Sequence, residues 1–118
     1  MLEERRKAKR FEGRIGVVSS DTDGLNFSFV TDLSREGAWV ETEKLLAIGA
    51  KYTFVLSNGI TSAPLEARVI RVKDAFFHGG KSGMGLKFEN MQGMVKAIRD
   101  DLLLCFMNQK YQDLWDAA

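Results

Sequence analysis

The sequence has few of the residues that enzymes and metal proteins use at their active sites. Its one cysteine, Cys105, excludes an intramolecular disulfide, and its position in an apolar run predicts a buried, reduced thiol. The one histidine, His78, lies 27 positions away in a glycine-rich stretch. That separation favours neither a zinc-ligand set nor a cysteine–histidine catalytic pair. We therefore expect no enzyme, no bound metal and no cofactor.

Long hydrophobic runs are also missing. No run approaches the roughly 20 residues of a membrane-spanning helix, and no apolar signal-peptide segment follows the charged N-terminus. Seventeen basic residues against sixteen acidic ones leave a net charge of +1, so the chain as a whole is not a general polyanion binder. With 45% hydrophobic and 28% charged residues, residues 1–118 are expected to form a single globular domain located in the cytoplasm.

Basic charge is concentrated at the N-terminus. Residues 1–14 contain three glutamates and six basic residues, namely Arg5, Arg6, Lys7, Lys9, Arg10 and Arg14. The four-residue spacing of Arg6 and Arg10 brings both side chains to one side of a helical turn or an extended segment. Guanidinium groups donate in a fixed fork that fits phosphate oxygens and the O6/N7 edge of guanine. The pair is therefore a candidate site for a guanine-containing phosphodiester.

Short β-type runs separated by glycine, asparagine, aspartate and serine occupy the chain from about residue 14 to 89. The predicted strands span residues 14–20, 25–33, 37–42, 51–57, 64–74 and 82–89. Antiparallel strands with one apolar face are best satisfied by a closed or nearly closed barrel, because closure removes exposed edges. The fold predicted for residues 14–90 is therefore a six-stranded antiparallel β-barrel.

Alternation in two runs predicts which side chains face the core. In the second run, the apolar face is predicted to contain Leu25, Phe27, Phe29, Thr31 and Leu33. The opposite, outer face is predicted to contain Asn26, Ser28, Val30, Asp32 and Ser34. In the sixth run, Met84, Leu86 and Phe88 are predicted to face the core, with Gly85 and Lys87 outside.

The pattern becomes helical after Asn90, a plausible N-cap. Apolar residues at helical spacing predict a helix over residues 91–112 that packs on the barrel; they are Met91, Met94, Val95, Ile98, Leu102, Cys105 and Phe106. Leu103, Leu104 and Met107 widen this stripe beyond one face. The widened stripe indicates either a deeply covered helix or an apolar edge offered to a partner protein or a second copy.

The segment "AFFHGGKSG", residues 75–83, contains the GKS of a phosphate-binding P-loop. The first glycine of that motif would fall at Ala75, and a strand pattern follows Ser82 where the motif needs a helix N-terminus. We therefore predict a β-hairpin loop here.

A second candidate motif is "TDLSREGAWV", residues 31–40, in which Gly37 makes the turn into the next strand. A carboxylate such as Asp32 accepts from guanine N1 and N2, and a hydroxyl such as Ser34 donates or accepts. Gly37 permits a close approach that other residues do not. The alternative is a polar turn whose Asp and Ser satisfy their own backbone.

The two motifs together resemble those of the PilZ domain family. RxxxR (Arg6 to Arg10) precedes the first strand, and DxSxxG (Asp32, Ser34, Gly37) follows at the turn after the second. The 22 residues from Arg10 to Asp32 leave room for the β-hairpin that this family places there. "ARVIRV" at 67–72 and "GMGLKF" at 83–88 also resemble its later strands, so the resemblance covers nearly the whole chain.

The resemblance implies a bacterial receptor for cyclic di-GMP that is not an enzyme. It implies a six-stranded barrel with a C-terminal helix and a flexible basic N-terminal segment, residues 1–13. Arg6 and Arg10 would clamp guanine edges and phosphates, and Arg5 would add a contact compatible with a stacked pair of ligands. Asp32 and Ser34 would read a guanine, and Gly37 would hold the turn. Further candidate contacts are Arg71, Gly85 and Lys87.

The resemblance also implies how such a domain would signal. The dianionic ligand would neutralise the basic segment and pin it across the barrel, a disorder-to-order switch. The output would be docking on an unidentified downstream protein of a motility, secretion, polysaccharide or transcription system, by a monomer or weak homodimer. Candidate docking surfaces are the edge of the C-terminal helix and Trp39.

Two alternatives remain. One is a degenerate PilZ domain that binds only proteins, although such members typically lack one of the two motifs. The other is a small barrel that binds single-stranded nucleic acid, which needs aromatic residues interleaved with the cations, whereas only Phe11 adjoins them here. We therefore expect no DNA or RNA partner and no membrane association.

Overall fold

The computed structural model describes residues 9–21 and 24–117, with side chains described for residues 9–19 and 24–108. Six strands are present: β1 (Phe11–Asp21), β2 (Gly24–Leu33), β3 (Gly37–Glu41), β4 (Lys51–Ser57), β5 (Ser62–Lys73) and β6 (Gly83–Glu89). Two helices, α1 (Ala75–His78) and α2 (Gly93–Ala117), complete the described elements. The strands pair antiparallel in the order β1-β2-β3-β6-β5-β4 and close into a barrel. The predicted mainly-β barrel with a C-terminal helix is confirmed.

The barrel interior is filled by the apolar side chains that alternate inward along each strand. Met84, Leu86 and Phe88 of β6 are buried, as predicted, and Lys87 is exposed. The other large, fully buried side chains include Val17, Val30, Leu33, Val40, Phe54, Leu56, Leu65 and Val69. These residues come from all six strands, so a single core holds the barrel together.

The predicted faces of β2 are wrong from Leu25 to Val30. Ser28 and Val30 are buried, whereas Leu25 and Phe27 are 80% and 66% exposed. The pairing of β2 with β3 shifts register between Val30 and Asp32, which returns Leu33 to the core. One irregularity therefore reverses the face of every residue before it.

Helix α2 packs on the barrel through a face that differs from the predicted stripe. Ile98, Leu102, Leu103 and Phe106 are buried and join the core, while Met94, Leu104 and Cys105 are exposed. The prediction of a buried Cys105 is therefore wrong. The face of α2 that packs on the barrel also contains the buried Arg99. Met94 and Cys105 lie outside this face. Neither helix in the described part of the chain is both long and apolar enough to cross a membrane.

The start of α2 also differs from the prediction. Asn90 adopts a left-handed conformation with φ 53°, whereas an N-cap residue is extended, so the proposed capping role is wrong. Its side-chain amide instead donates to Glu66 Oε2 at 2.6 Å. This hydrogen bond, together with the charge of Lys51, lowers the pKa of Glu66.

The connection between β5 and β6 is longer and more structured than a simple hairpin loop. It contains the single-turn helix α1, whose N-terminus is capped by Asp74, the acceptor of the Phe76 N–H at 2.9 Å. Gly79 and Gly80 then adopt positive φ, and the chain passes into β6. The GKS sequence therefore precedes a strand, which excludes a P-loop.

We expect Phe106→Ala to destabilise the fold by about 3–5 kcal/mol, because it removes a buried ring between α2 and the barrel. The ring packs so closely on β1 that a Cβ at Gly13 would lie 2.8 Å from it. Denaturant unfolding measures the change. Leu104→Ala on the same helix, 57% exposed, is the matched control and should change stability by less than about 0.5 kcal/mol. Equal losses in both variants would contradict the observed packing of α2.

Candidate ligand-binding site

The two sequence motifs meet on the outer face of the barrel. Strand β1 pairs with β2 so that Glu12 lies opposite Asp32, which places the preceding Arg10 next to the end of β2. Arg10 Nε donates to Asp32 Oδ1 at 2.5 Å, and both side chains are largely covered. Arg5 and Arg6, the other predicted arginines, lie outside the described residues. The RxxxR and DxSxxG motifs are therefore joined by a direct ion pair through Arg10.

Ser34 organises the DxSxxG turn from within. Its Oγ accepts from the N–H groups of Glu36 and Gly37, at 3.2 and 3.1 Å. Its own N–H donates to the Gly37 carbonyl at 2.9 Å. Ser34 is 6% exposed, so the prediction that it shares an outer face with Asp32 is wrong. A serine hydroxyl that satisfies the backbone of its own turn cannot also project freely outward.

Gly37 lets β3 approach β6 closely. It pairs with Lys87, and a Cβ built at position 37 would overlap the carbonyl oxygen of Leu86. Any larger residue would therefore separate the two strands at this point. The close approach predicted for Gly37 is present, and it is made to the backbone of β6.

These residues surround two adjoining cavities that share Arg10, Trp39 and Arg71 and that we call together the basic cleft. Its first part, about 490 Å³, is lined by Arg10, Glu12, Gly13, Thr31, Asp32, Trp39 and Arg71. Its second part, about 570 Å³, includes Ser34, Arg35, Gly37, Gly85 and Lys87 in its lining and shares Arg10, Trp39 and Arg71 with the first. All seven predicted site residues within the described part of the chain line this cleft.

Trp39 forms a wall common to both parts of the basic cleft. It pairs with Gly85 across β3 and β6, and a Cβ at Gly85 would lie 3.5 Å from the indole ring. A Cβ at Gly83 would lie 2.6 Å from Trp39 Nε1. Gly83 thus provides the space that the indole occupies on the outside of the barrel, and at Gly85 the indole is in ordinary van der Waals contact range.

The sequence predicts Trp39 either to pack in the core or to form a docking surface, not to line a ligand site, and it makes no prediction for Arg35. The signal for Trp39 was available, because it lies between the core residues Ala38 and Val40 and so must point outward. The sequence offers less indication of a role for Arg35, because this residue occupies one of the unspecified positions of DxSxxG. Its place in the cleft follows from the turn geometry and not from the motif.

The basic cleft has the chemistry to bind an anionic purine nucleotide. Arg10, Arg35, Arg71 and Lys87 provide cationic donors for phosphate oxygens, and guanidinium groups also fit a guanine edge. The Trp39 indole provides an aromatic surface of the kind on which bases stack. Among the described residues, no group of three or more His, Cys, Asp and Glu side chains is placed to hold a metal ion.

Comparisons with solved structures identify the same fold in other proteins. The PilZ domain of YcgR from Escherichia coli, solved with c-di-GMP, has a TM-score of 0.74 and 15% identity, covering 94% of this chain and 98% of that one. The MrkH–c-di-GMP complex of K. pneumonia has a TM-score of 0.73 and 14% identity, covering 95% of this chain and 57% of that one. The Bacillus subtilis inhibitor of motility, MotI/DgrA, has a TM-score of 0.64 and 17% identity, covering 92% and 53%. This chain therefore spans a little over half the length of the latter two proteins.

The comparison with family models places these similarities in one family. No curated protein matches the sequence significantly. The model of the PilZ domain, however, matches residues 4–103, a range that includes both arginine and DxSxxG motifs and all six strands. PilZ domains are receptors and adaptors for cyclic di-GMP and not enzymes. This chain belongs to the PilZ domain family.

Proposed function

We propose that this chain is a cyclic di-GMP receptor that binds its ligand in the basic cleft. The observation that carries the proposal is the contact between Arg10 and Asp32, which brings a guanidinium fork and a carboxylate together at the edge of an arginine-lined cleft. A guanine presents acceptors at O6 and N7 and donors at N1 and N2. One guanine base can therefore engage both side chains at once, Arg10 at its O6/N7 edge and Asp32 at N1 and N2.

The other residues of the cleft supply the remaining contacts. Trp39 and Arg71 offer flat surfaces against which a guanine stacks. Arg5, Arg6 and Lys87 take the phosphates. Ser34 and Gly37 act through the shape of the turn, because the Ser34 hydroxyl is already engaged by the turn's backbone.

The proposed output is a change in the surface that a downstream protein contacts. The basic segment predicted over residues 1–13, whose last three residues already belong to β1, acts as a switch that the dianionic ligand neutralises and holds across the barrel predicted over residues 14–90. The helical segment, predicted over 91–112, remains packed on that barrel. Because one of the similar structures is an inhibitor of motility, motility is the first cellular process to test. The site of action is the cytoplasm.

Titration calorimetry with cyclic di-GMP tests the assigned site. Arg6→Ala and Arg10→Ala should each weaken binding about tenfold or more, because a lost hydrogen bond from a charged group costs about 1.5–3 kcal/mol. Lys9→Ala is the matched control, since it removes a cation from the same segment. The Lys9 ammonium lies over the Phe11 ring at 5.6 Å, and its loss should change affinity by less than about threefold.

Unchanged affinity in both arginine variants would refute the site. A parallel titration with a single-stranded oligonucleotide separates cyclic di-GMP from nucleic acid binding. Tight, salt-sensitive oligonucleotide binding with no response to the dinucleotide would favour the nucleic-acid alternative. Absence of binding to either ligand would favour an adaptor that binds only proteins.

The stoichiometry of the same titration tests the role of Arg5. We expect two ligands per chain, stacked on each other, because the additional phosphates need an additional cation. Arg5→Ala should reduce the fitted number from two to one while leaving the remaining ligand bound. A fitted value of one for the unmodified chain would contradict the stacked pair without affecting the location of the site.

A further inference from the structure

Arg99 is a buried arginine on the face of α2 that packs against the barrel. Its Nη1 donates to the backbone carbonyl of Arg35 at 2.6 Å, across 64 positions of sequence. Its Nε and Nη2 donate to Asp100 Oδ1 at 2.9 and 2.6 Å. The side chain is only 7% exposed, whereas Asp100 is half exposed. Arg99 is not among the described residues that line the basic cleft, so its contact with the binding turn is made through the backbone.

The carbonyl that Arg99 contacts belongs to the central peptide of the DxSxxG turn. That peptide joins Arg35 and Glu36, and its N–H donates to Ser34 Oγ at 3.2 Å. The peptide is therefore held on both sides, by the motif serine at its N–H and by α2 at its carbonyl. The next carbonyl, that of Glu36, accepts from the Phe88 N–H at 2.8 Å, which anchors the turn to β6.

Packing alone does not explain an arginine at this position. A buried guanidinium has a desolvation cost, and an apolar side chain of similar length would pack beside Ile98 and Leu102 without it. What an apolar side chain cannot do is donate to a carbonyl. The position therefore uses the one property of arginine that the turn requires.

We propose that Arg99 is a positioning residue for the ligand-binding turn and that it couples occupancy of the basic cleft to α2. The coupling between ligand binding and α2 rests on the proposed function. A ligand that orders the turn stabilises the Arg35–Arg99 hydrogen bond. By linkage, this hydrogen bond from α2 raises the affinity of the cleft for ligand. Ligand binding in the cleft therefore affects α2 through Arg99, and the outer side of this helix exposes Met94 and Leu104.

Amide hydrogen exchange on the ligand-free protein tests the positioning role. Arg99→Met should speed exchange at the Glu36 and Gly37 amides by about fivefold or more, the factor expected for one lost hydrogen bond. Arg68→Met is the matched control. Arg68 also donates to a carboxylate, Glu89, and to a backbone carbonyl, that of Gly49, but its side chain is not among the described residues of the cleft. It should leave both turn amides unchanged.

Calorimetry with cyclic di-GMP then tests the coupling. Arg99→Met should weaken binding about fivefold to tenfold, by the same lost hydrogen bond. In a double-mutant cycle with Ser34→Ala, the combined effect should be smaller than the product of the two single effects, because both residues hold one peptide. A general loss of structure would instead give independent, multiplicative effects.

The outcomes separate this inference from the proposed function. If the unmodified chain does not bind cyclic di-GMP, the proposed function is wrong, and exchange at the turn amides still decides the role of Arg99. Unchanged exchange in Arg99→Met, or unchanged affinity in a chain that binds, overturns the positioning role. If Arg99→Met does not fold, Arg99→Lys replaces it. Lysine keeps the charge but lacks the fork, so it should show a smaller effect in the same direction, and no effect would overturn the proposal.

Discussion

The pairing of β3 with β6 is the constraint on which both the barrel and the cleft depend. These strands are far apart in sequence, and their pairing joins the β1-β2-β3 meander to β6, β5 and β4. It requires glycine at position 37, where a side chain would overlap the backbone of β6. The same register places Trp39 against Gly85 and brings Lys87 to the DxSxxG turn. The close pairing of β3 with β6 therefore explains why the motif has glycine at position 37, independently of any ligand.

The ion pair between Arg10 and Asp32 is suited to exchange its partner. Both side chains remain about a fifth to a quarter exposed, so a ligand can reach them. A guanine that offers acceptors to Arg10 and donors to Asp32 replaces the hydrogen bond that the pair gives up. The turn that carries the motif has other contacts, from Ser34, Phe88 and Arg99, so it stays anchored to β6 and α2 when Arg10 changes partner.

Much of the fold could be predicted because its signals are local. Most strand boundaries followed from glycine and asparagine punctuation, and the inward residues of β6 followed from simple alternation. The start of β1 was predicted three residues too late, because the strand begins at Phe11 within the basic segment. The faces of β2 could not be predicted, because they depend on a register shift near Val30 that has no marker in the sequence. The buried face of α2 was also mispredicted, since a pattern based on apolar residues gives no place to Arg99 on the inward side.

The site shows the same division between local and distant information. The proximity of Arg10 to Asp32 follows from the hairpin between them, and the motifs predicted it. The role of Ser34 within the turn, and the contributions of Arg35 and Trp39, depend on how the turn folds and on which strand lies beside β3. Motif spacing identifies which segments meet, but the surrounding chain decides which atoms face the cleft.

The central claim is that the ligand occupies the cleft beside Trp39, and nuclear magnetic resonance tests it most directly. The indole N–H of Trp39 gives a single resonance, which a Trp39→Phe variant assigns. On addition of cyclic di-GMP, we predict large shifts of this indole signal and of the Gly37 and Gly85 amides, with little change at Ser19 and Tyr52 at a distant part of the barrel. Shifts confined to the Ser19 and Tyr52 region, with the Trp39 indole unaffected at saturation, would contradict the account.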